Sequence, residues 1–376
     1  MARQACRDWQ IIKRISSNHN EVAAAIGKKL DNNSFGGGVI NAPAGLATDE
    51  GKIVVINHFE KAYRFSSDWS IDKVYPIPLQ DPVDDSIGIA YSFGIDFSTD
   101  NKVAIASWSR HIIRVYDKLT GVKLFQIGQY DDAGNVADNK LYYPRRALWL
   151  PNGNLLVCSH QGSGQSATGE GHLSEYNGTT GEFIATRLKY YDDGDSKIGK
   201  DIVYLPIDIK LHDDYLWVAE FGRSRILKIN LTTWLVEDIF YAPHGTNING
   251  TWAINITSDN VLVCAATESQ RLVGIDLTTR AAVFNIALCT GNFRDVIEVS
   301  PGYLAVTEWN AQALYVVTTS DKIKVAYEPY TIPEGFQIAL ETVPANYDLT
   351  TNLLSIDIDK IDCIPDQLVI NYRNQC

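Results

Sequence analysis

Apolar positions along this chain fall into short runs that recur with the same punctuation. Six of them line up: KIVVINH (52–58), KVAIASW (102–108), NLLVCSH (154–160), YLWVAEF (215–221), NVLVCAA (260–266) and YLAVTEW (303–309). A turn rich in Gly, Asn and Asp precedes each run, and another apolar stretch precedes the turn. Short runs of this kind bounded by turn residues predict β-strands. Their spacing, roughly 40–60 residues, is the period of an array whose units each hold several strands.

A third strand follows in each unit. IIRVYD (112–117), HLSEYN (172–177), RILKIN (225–230) and RLVGID (271–276) all end on Asp or Asn, and the turns KLTG, GTTG, LTTW and LTTR come next. Asp or Asn at that point can accept hydrogen bonds from the backbone two residues on, and Thr hydroxyls assist. A fourth strand then leaves, as in VKLFQIG (122–128) and EFIATRL (182–188). Four strands per unit and six units predict an all-β, six-bladed β-propeller. Alternation within the strands is incomplete, as expected where both faces of a sheet are covered.

The stretch FGIDFSTDNKVAIASWSRHIIRVYDKLTGVKLFQIG (93–128), followed by LYYPRRALWLPNGNLLVCSH (141–160), resembles the NHL-repeat class of six-bladed propellers. The resemblance covers about residues 40–332 and implies the fold without an activity. Its usual Asp at the end of the second strand is replaced here by Asn57, Ser107, Ser159, Glu220, Ala265 and Glu308.

Two appendages flank the predicted ring, giving an N-terminal arm and linker (1–38), the propeller (39–332) and a C-terminal extension (333–376). In DWQIIKRISSNHNEVAAAIGKKL (8–30), apolar residues at Trp9, Ile12, Ile15, Val22, Ala25 and Ile26 predict a helix, interrupted near Ser16–Asn18. Its apolar stripe, carried by Ile12, Ile15 and Ile26, reads as an assembly arm. One strand from either arm would be enough to zip the first blade to the last. The extension shows strand-like runs, LLSIDI and QLVINY.

Charge narrows the partners. A net charge of −12 over 376 residues disfavours nucleic acid and anionic membranes. No stretch has the length of an apolar membrane span, and the N-terminal residues lack the apolar run of a secretory signal, so cytoplasmic synthesis is the expectation. Cys158 and Cys264 fall inside second strands and read as core residues. Cys6, Cys289, Cys363 and Cys376 form no Cys-x-x-Cys pair.

Candidate chemistry collects where loops meet the central channel. Arg146, Asp208, Glu220, Arg294, Asp295 and Glu308 are the predicted binding residues of the channel mouth. Gluconolactonase-type propellers hold calcium with carboxylates and an Asn. That resemblance implies a set of Asp208, Glu220, Asn255, Asp295 and Glu308 here. Arg146, Lys210 and Arg294 are interleaved with those acids, which favours a ring of structural ion pairs over a metal cage. NHL-type lyases use zinc held by three His, and the matching column here (His58, Trp108, His160, Phe221, Ala266, Trp309) supplies two. Acidic loops at 81–85, 130–138 and 190–197 leave calcium open as a cofactor, although no complete calcium loop is present. An aromatic set, Trp108, Trp149, Trp217, Trp252, Trp309, Tyr142–Tyr143 and Tyr190–Tyr191, is divided between core and contact surface. No catalytic residue and no metal ligand is assigned.

The reading is a non-enzymatic binding or assembly propeller. Its partners would be protein subunits of a larger complex such as a virion, or further copies of itself. A metal-assisted hydrolase or lyase at the channel mouth is the first alternative, and a sugar- or peptide-binding module the second.

Overall fold

The computed structural model describes residues 9–16, 43–57, 61–67, 71–77, 92–108, 110–128, 141–160, 171–189, 198–201, 203–287, 292–310, 313–319, 336–338, 345–348, 353–356 and 372–374. Six four-stranded antiparallel sheets are arranged as blades. Blade 1 runs through Pro43–Asp49, Lys52–Asn57, Ala62–Phe65 and Ile71–Val74. Blades 2 to 5 repeat that order, opening on Ser92–Phe97, Pro144–Trp149, Pro206–His212 and Thr251–Ile256. The first strands of neighbouring blades touch all the way round, blade 6 meeting blade 1, so the ring is closed.

The incomplete alternation of the second strands has its explanation in the interfaces. In Lys52–Asn57, Ile53 and Val55 pack toward blade 6, whereas Val54 and Ile56 pack toward blade 2. Six apolar clusters result, one for each pair of neighbouring blades. A fully buried Ile or Val contributes about 1.5–3 kcal/mol, and those four side chains are at most 3% exposed. One such strand therefore outweighs any exposed ion pair, at about 0–1 kcal/mol each. Cys158 and Cys264 are both free and buried in these clusters, and burial pushes the Cys264 thiol up to about 12.

The Asp/Asn turns form as the sequence implies. Asp117 Oδ1 accepts from the amides of Leu119 and Thr120 at 3.0 and 2.8 Å, and Asp276 Oδ1 from Thr278 and Thr279 at 2.9 and 2.7 Å. Asn177 and Asn230 make the same pair of bonds in their turns. The last turn residue has a left-handed backbone in all four copies: Gly121, Gly181, Trp234 and Arg280.

Blade 6 departs from the repeat and overturns the helical arm. Phe293–Ser300, Tyr303–Glu308 and Ala313–Thr319 supply three strands, and the fourth is Trp9–Ser16, antiparallel to Ala313–Thr319. Trp9 stands opposite Thr319 and Ser16 opposite Ala313. Ile15 is opposite Leu314, and Ile12 falls at a register shift between Ile11 and Lys13. Apolar residues at 9, 12 and 15 satisfy a helical spacing, but three Ile within five residues suit a strand equally well. The open edge of Ala313–Thr319 then decides, because pairing satisfies a row of main-chain groups that would otherwise be left at an edge. Residues 17–30, with Ile26, lie outside the described residues, as do the loops at 81–85, 130–138 and 190–197. A single 3₁₀ turn, Phe221–Arg223, is the sole helical element among the described residues, and no described helix is long and apolar enough to cross a membrane. In the extension, Phe336–Ile338 pairs with Tyr372–Asn374, and Ala345–Asp348 with Leu353–Ile356.

Candidate binding site at the channel mouth

In every blade the ladder between first and second strands slips by one residue near the start of the first strand. The extra residues are Ala44, Phe93, Arg145, Ile207, Trp252 and Arg294. A bulge re-aims side chains. Its consequence in blade 3 is that two consecutive residues, Arg145 and Arg146, both reach the axis of the ring.

Arg146 crosses the channel. Its Nε donates to Asp208 Oδ1 at 2.8 Å and its Nη2 to Asp295 Oδ2 at 2.6 Å. Nη1 donates to the carbonyls of Leu46 and Ile95 at 3.2 and 3.4 Å. The acids are held in turn: the Ile254 amide donates to Asp208 Oδ2 at 2.9 Å and the Leu46 amide to Asp295 Oδ2 at 2.7 Å. All six blades thus meet through one guanidinium and two carboxylates, each at most 5% exposed. Two glycines make room, since a Cβ at Gly45 would lie 2.5 Å from the Phe93 carbonyl oxygen and one at Gly94 2.4 Å from that of Arg145. On the far side of this tier, Lys210 Nζ reaches Asp295 Oδ1 at 3.5 Å. Asp96, which accepts from the Trp149 amide at 2.9 Å, is raised to about 6 by burial, against the pull of that bond and of Arg146 and Lys210.

Toward the mouth the chemistry changes. The Arg145 guanidinium carbon lies 4.5 Å from the centre of the Phe93 ring, 4.8 Å from Trp108 and 4.5 Å from Trp252. That of Arg294 lies 4.1 Å from Trp252 and 5.1 Å from Trp309. Phe93 stacks on Trp309 at 6.2 Å, and Trp108 packs on Tyr143 at 4.6 Å. These rings are half-buried around the two cations. Among the described residues, Nε and Nη1 of Arg145 and Nε of Arg294 have no hydrogen-bond partner. Burial, with the Arg294 charge beside it, holds Arg145 well below the usual arginine range, and burial lowers Arg294 to about 10. A guanidinium does not release its proton in a protein, so these shifts register the electrostatic cost of burying the two charges side by side. His160 is depressed to about 3 by burial and then by Arg145, and stays neutral.

The predicted site residues divide. Arg146, Asp208 and Asp295 come together as an ion-pair network. Arg294 sits one step nearer the mouth, apart from them. Glu220 and Glu308 end second strands and tie down loops: Glu220 accepts from the Tyr204 amide at 2.6 Å and pairs with Arg225, while Glu308 accepts from the Asn292 amide at 3.3 Å. The five-residue calcium set therefore does not converge, and among the described residues no three His, Cys, Asp or Glu side chains are grouped to hold a metal. The strand-end column also shifts in blade 5, where Ala266, not Ala265, stands opposite Thr251, so Thr267 replaces Ala266 in the column of His160 and Trp309. His58 lies outside the described residues. Of the aromatic set, Trp108, Tyr142, Tyr143, Trp252 and Trp309 gather at the mouth, joined by Phe93. Trp217 is in the core between blades 4 and 5, and Trp149 packs between blades 2 and 3. Arg145 and Phe93 were not predicted, and the repeated strand-opening column was the signal available for them.

No family model matches the sequence, and no curated protein is similar to it in sequence. Among solved structures, the chain is similar to the WD40 β-propeller domain of Doa1, with a TM-score of 0.49 and 8% identity over 83% of this chain and 97% of that one.

Proposed function

We propose that this chain is a non-enzymatic binding propeller that engages a protein partner through the aromatic and arginine surface at its channel mouth. The observation that carries this reading is the composition of that surface, Phe93, Trp108, Trp252 and Trp309 half-buried around Arg145 and Arg294. Trp and Arg are the side chains that concentrate energy in protein contacts, combining large apolar area with polar reach. Six apolar interfaces hold the mouth in place beforehand, which lowers the ordering cost of association. The axial carboxylates support binding over hydrolysis. Asp208 and Asp295 are both occupied by Arg146 and backbone amides, whereas a general base needs reach to a bound water. A structural role in a particle such as a virion is a narrower form of this reading, and it loses the support of a helical arm over residues 9–16.

The test places a photo-cross-linking phenylalanine analogue at Trp309 or at Leu119, which is 60% exposed on a turn at the opposite end of the blades. Position 309 is expected to capture a protein partner in the expressing cell and position 119 to capture none. Adducts from 119 alone, or none from 309, would refute the reading.

A further inference from the structure

We propose that the channel mouth is an anion site for an organic carboxylate, held by Arg145 and Arg294 with its flat or apolar body against Trp252 and Trp309. The inference rests on the mouth being the binding surface, as proposed above, and does not require the partner to be a protein.

Two cations lie against one ring, Trp252, at 4.5 and 4.1 Å from its centre. Like charges so close repel, and a ring quadrupole attracts each without neutralising either. Three other arginines that are at least partly buried do meet acids: Arg64 meets Asp72 and Glu50, Arg146 meets Asp208 and Asp295, and Arg225 meets Glu220. At the mouth no described carboxylate acts on Arg145 or Arg294. Arg145 is only 6% exposed, and among the described residues two of its donor nitrogens and one of Arg294 have no partner. A buried charge in that condition is stable in the presence of an anion and costly in its absence. A ligand that complements these donors accepts hydrogen bonds at two or more points and carries negative charge, which a carboxylate does with its two oxygens. The flanking rings favour a planar or apolar body behind the carboxylate over a bare inorganic anion.

The experiment follows thermal unfolding of the full chain in a millimolar series of benzoate at constant ionic strength. Benzamide is the uncharged isostere and inorganic phosphate the aromatic-free anion. Benzoate is expected to raise Tm saturably and benzamide to leave it unchanged. Arg145→Met is expected to raise the Tm of the ligand-free protein, because an uncompensated buried charge is removed, and to abolish the benzoate effect. Arg294→Met, at a half-buried position, should keep the fold and also lose the response. No shift with benzoate, an equal shift with benzamide, or a response that survives in both variants would overturn the proposal. A shift with phosphate but not benzoate would overturn the carboxylate class. A steep fall in Tm in Arg145→Met would show that the guanidinium already has an internal counter-ion, and would overturn the proposal as well. Failure here alongside cross-linking at position 309 would leave the binding function standing. Success here without cross-linking would move the site from proteins to small carboxylates.

Discussion

Replacing Arg146 by Met tests whether the channel is held by charge or only by the apolar interfaces around it. Met retains most of the length and apolar volume of the side chain but none of its donors. The change leaves two buried carboxylates, Asp208 and Asp295, without their cation, and two carbonyls, Leu46 and Ile95, without a donor. Breaking a buried ion pair by removing one partner costs about 3–5 kcal/mol. For a ring of this size each kcal/mol moves Tm by about 2 °C, so the expected drop is about 6–10 °C. Adding Asp208→Asn and Asp295→Asn removes the orphaned charge while keeping an oxygen for the amides of Ile254 and Leu46. The triple variant should recover at least half of the loss. Calorimetry of wild type, single and triple variants at neutral pH measures this. A single variant that loses under about 1 kcal/mol, or a triple no better than the single, would refute the argument that the charge and not the shape is what the axis requires.

Deleting residues 1–16 removes the partner of Ala313–Thr319 and opens an edge strand. Light scattering should show self-association and a lowered Tm, both reversed by a peptide spanning residues 8–17. An unchanged particle size and Tm would mean that Trp9–Ser16 is dispensable. Gly94→Ala puts a methyl 2.4 Å from the Arg145 carbonyl oxygen and 3.0 Å from the Arg146 Cα, both of them backbone atoms. A loss of about 2–4 kcal/mol by denaturant titration is expected, and a loss within about 0.5 kcal/mol would contradict the packing. The turn amides of Thr120 and Thr279 hold the Asp117 and Asp276 carboxyls below their ordinary value of 3.8. Their contribution is thus complete above about pH 4 and lost as pH falls through the folded value. Asp117→Asn with Asp276→Asn, copying the turns at Asn177 and Asn230, should match wild type at neutral pH and lose less Tm in acid. Parallel curves would count against the assignment.

The sequence by itself determined the blades. Their strands are marked by local chemistry: apolar runs whose alternate residues serve two interfaces, and Asp or Asn reaching amides two and three residues away. Such features need no knowledge of distant parts of the chain. They fail where local chemistry is ambiguous, as in blade 5, where Cys264–Ala265–Ala266 offers no polar residue to mark the end of the strand. The tertiary structure decided three further things. Trp9–Ser16 became a strand because its partner, some 300 residues away in the chain, presented an unpaired edge that spacing at 9, 12 and 15 could not reveal. Arg146, Asp208 and Asp295 were legible as candidates, but their pairing depends on which charges the closure of the ring sets face to face across the axis. Arg145 was hidden by the rule that neighbours in a strand point to opposite sides. One extra residue in the ladder suspends that rule, and two adjacent arginines enter the same channel, one paired with acids across the axis and one set among the aromatic rings of the mouth.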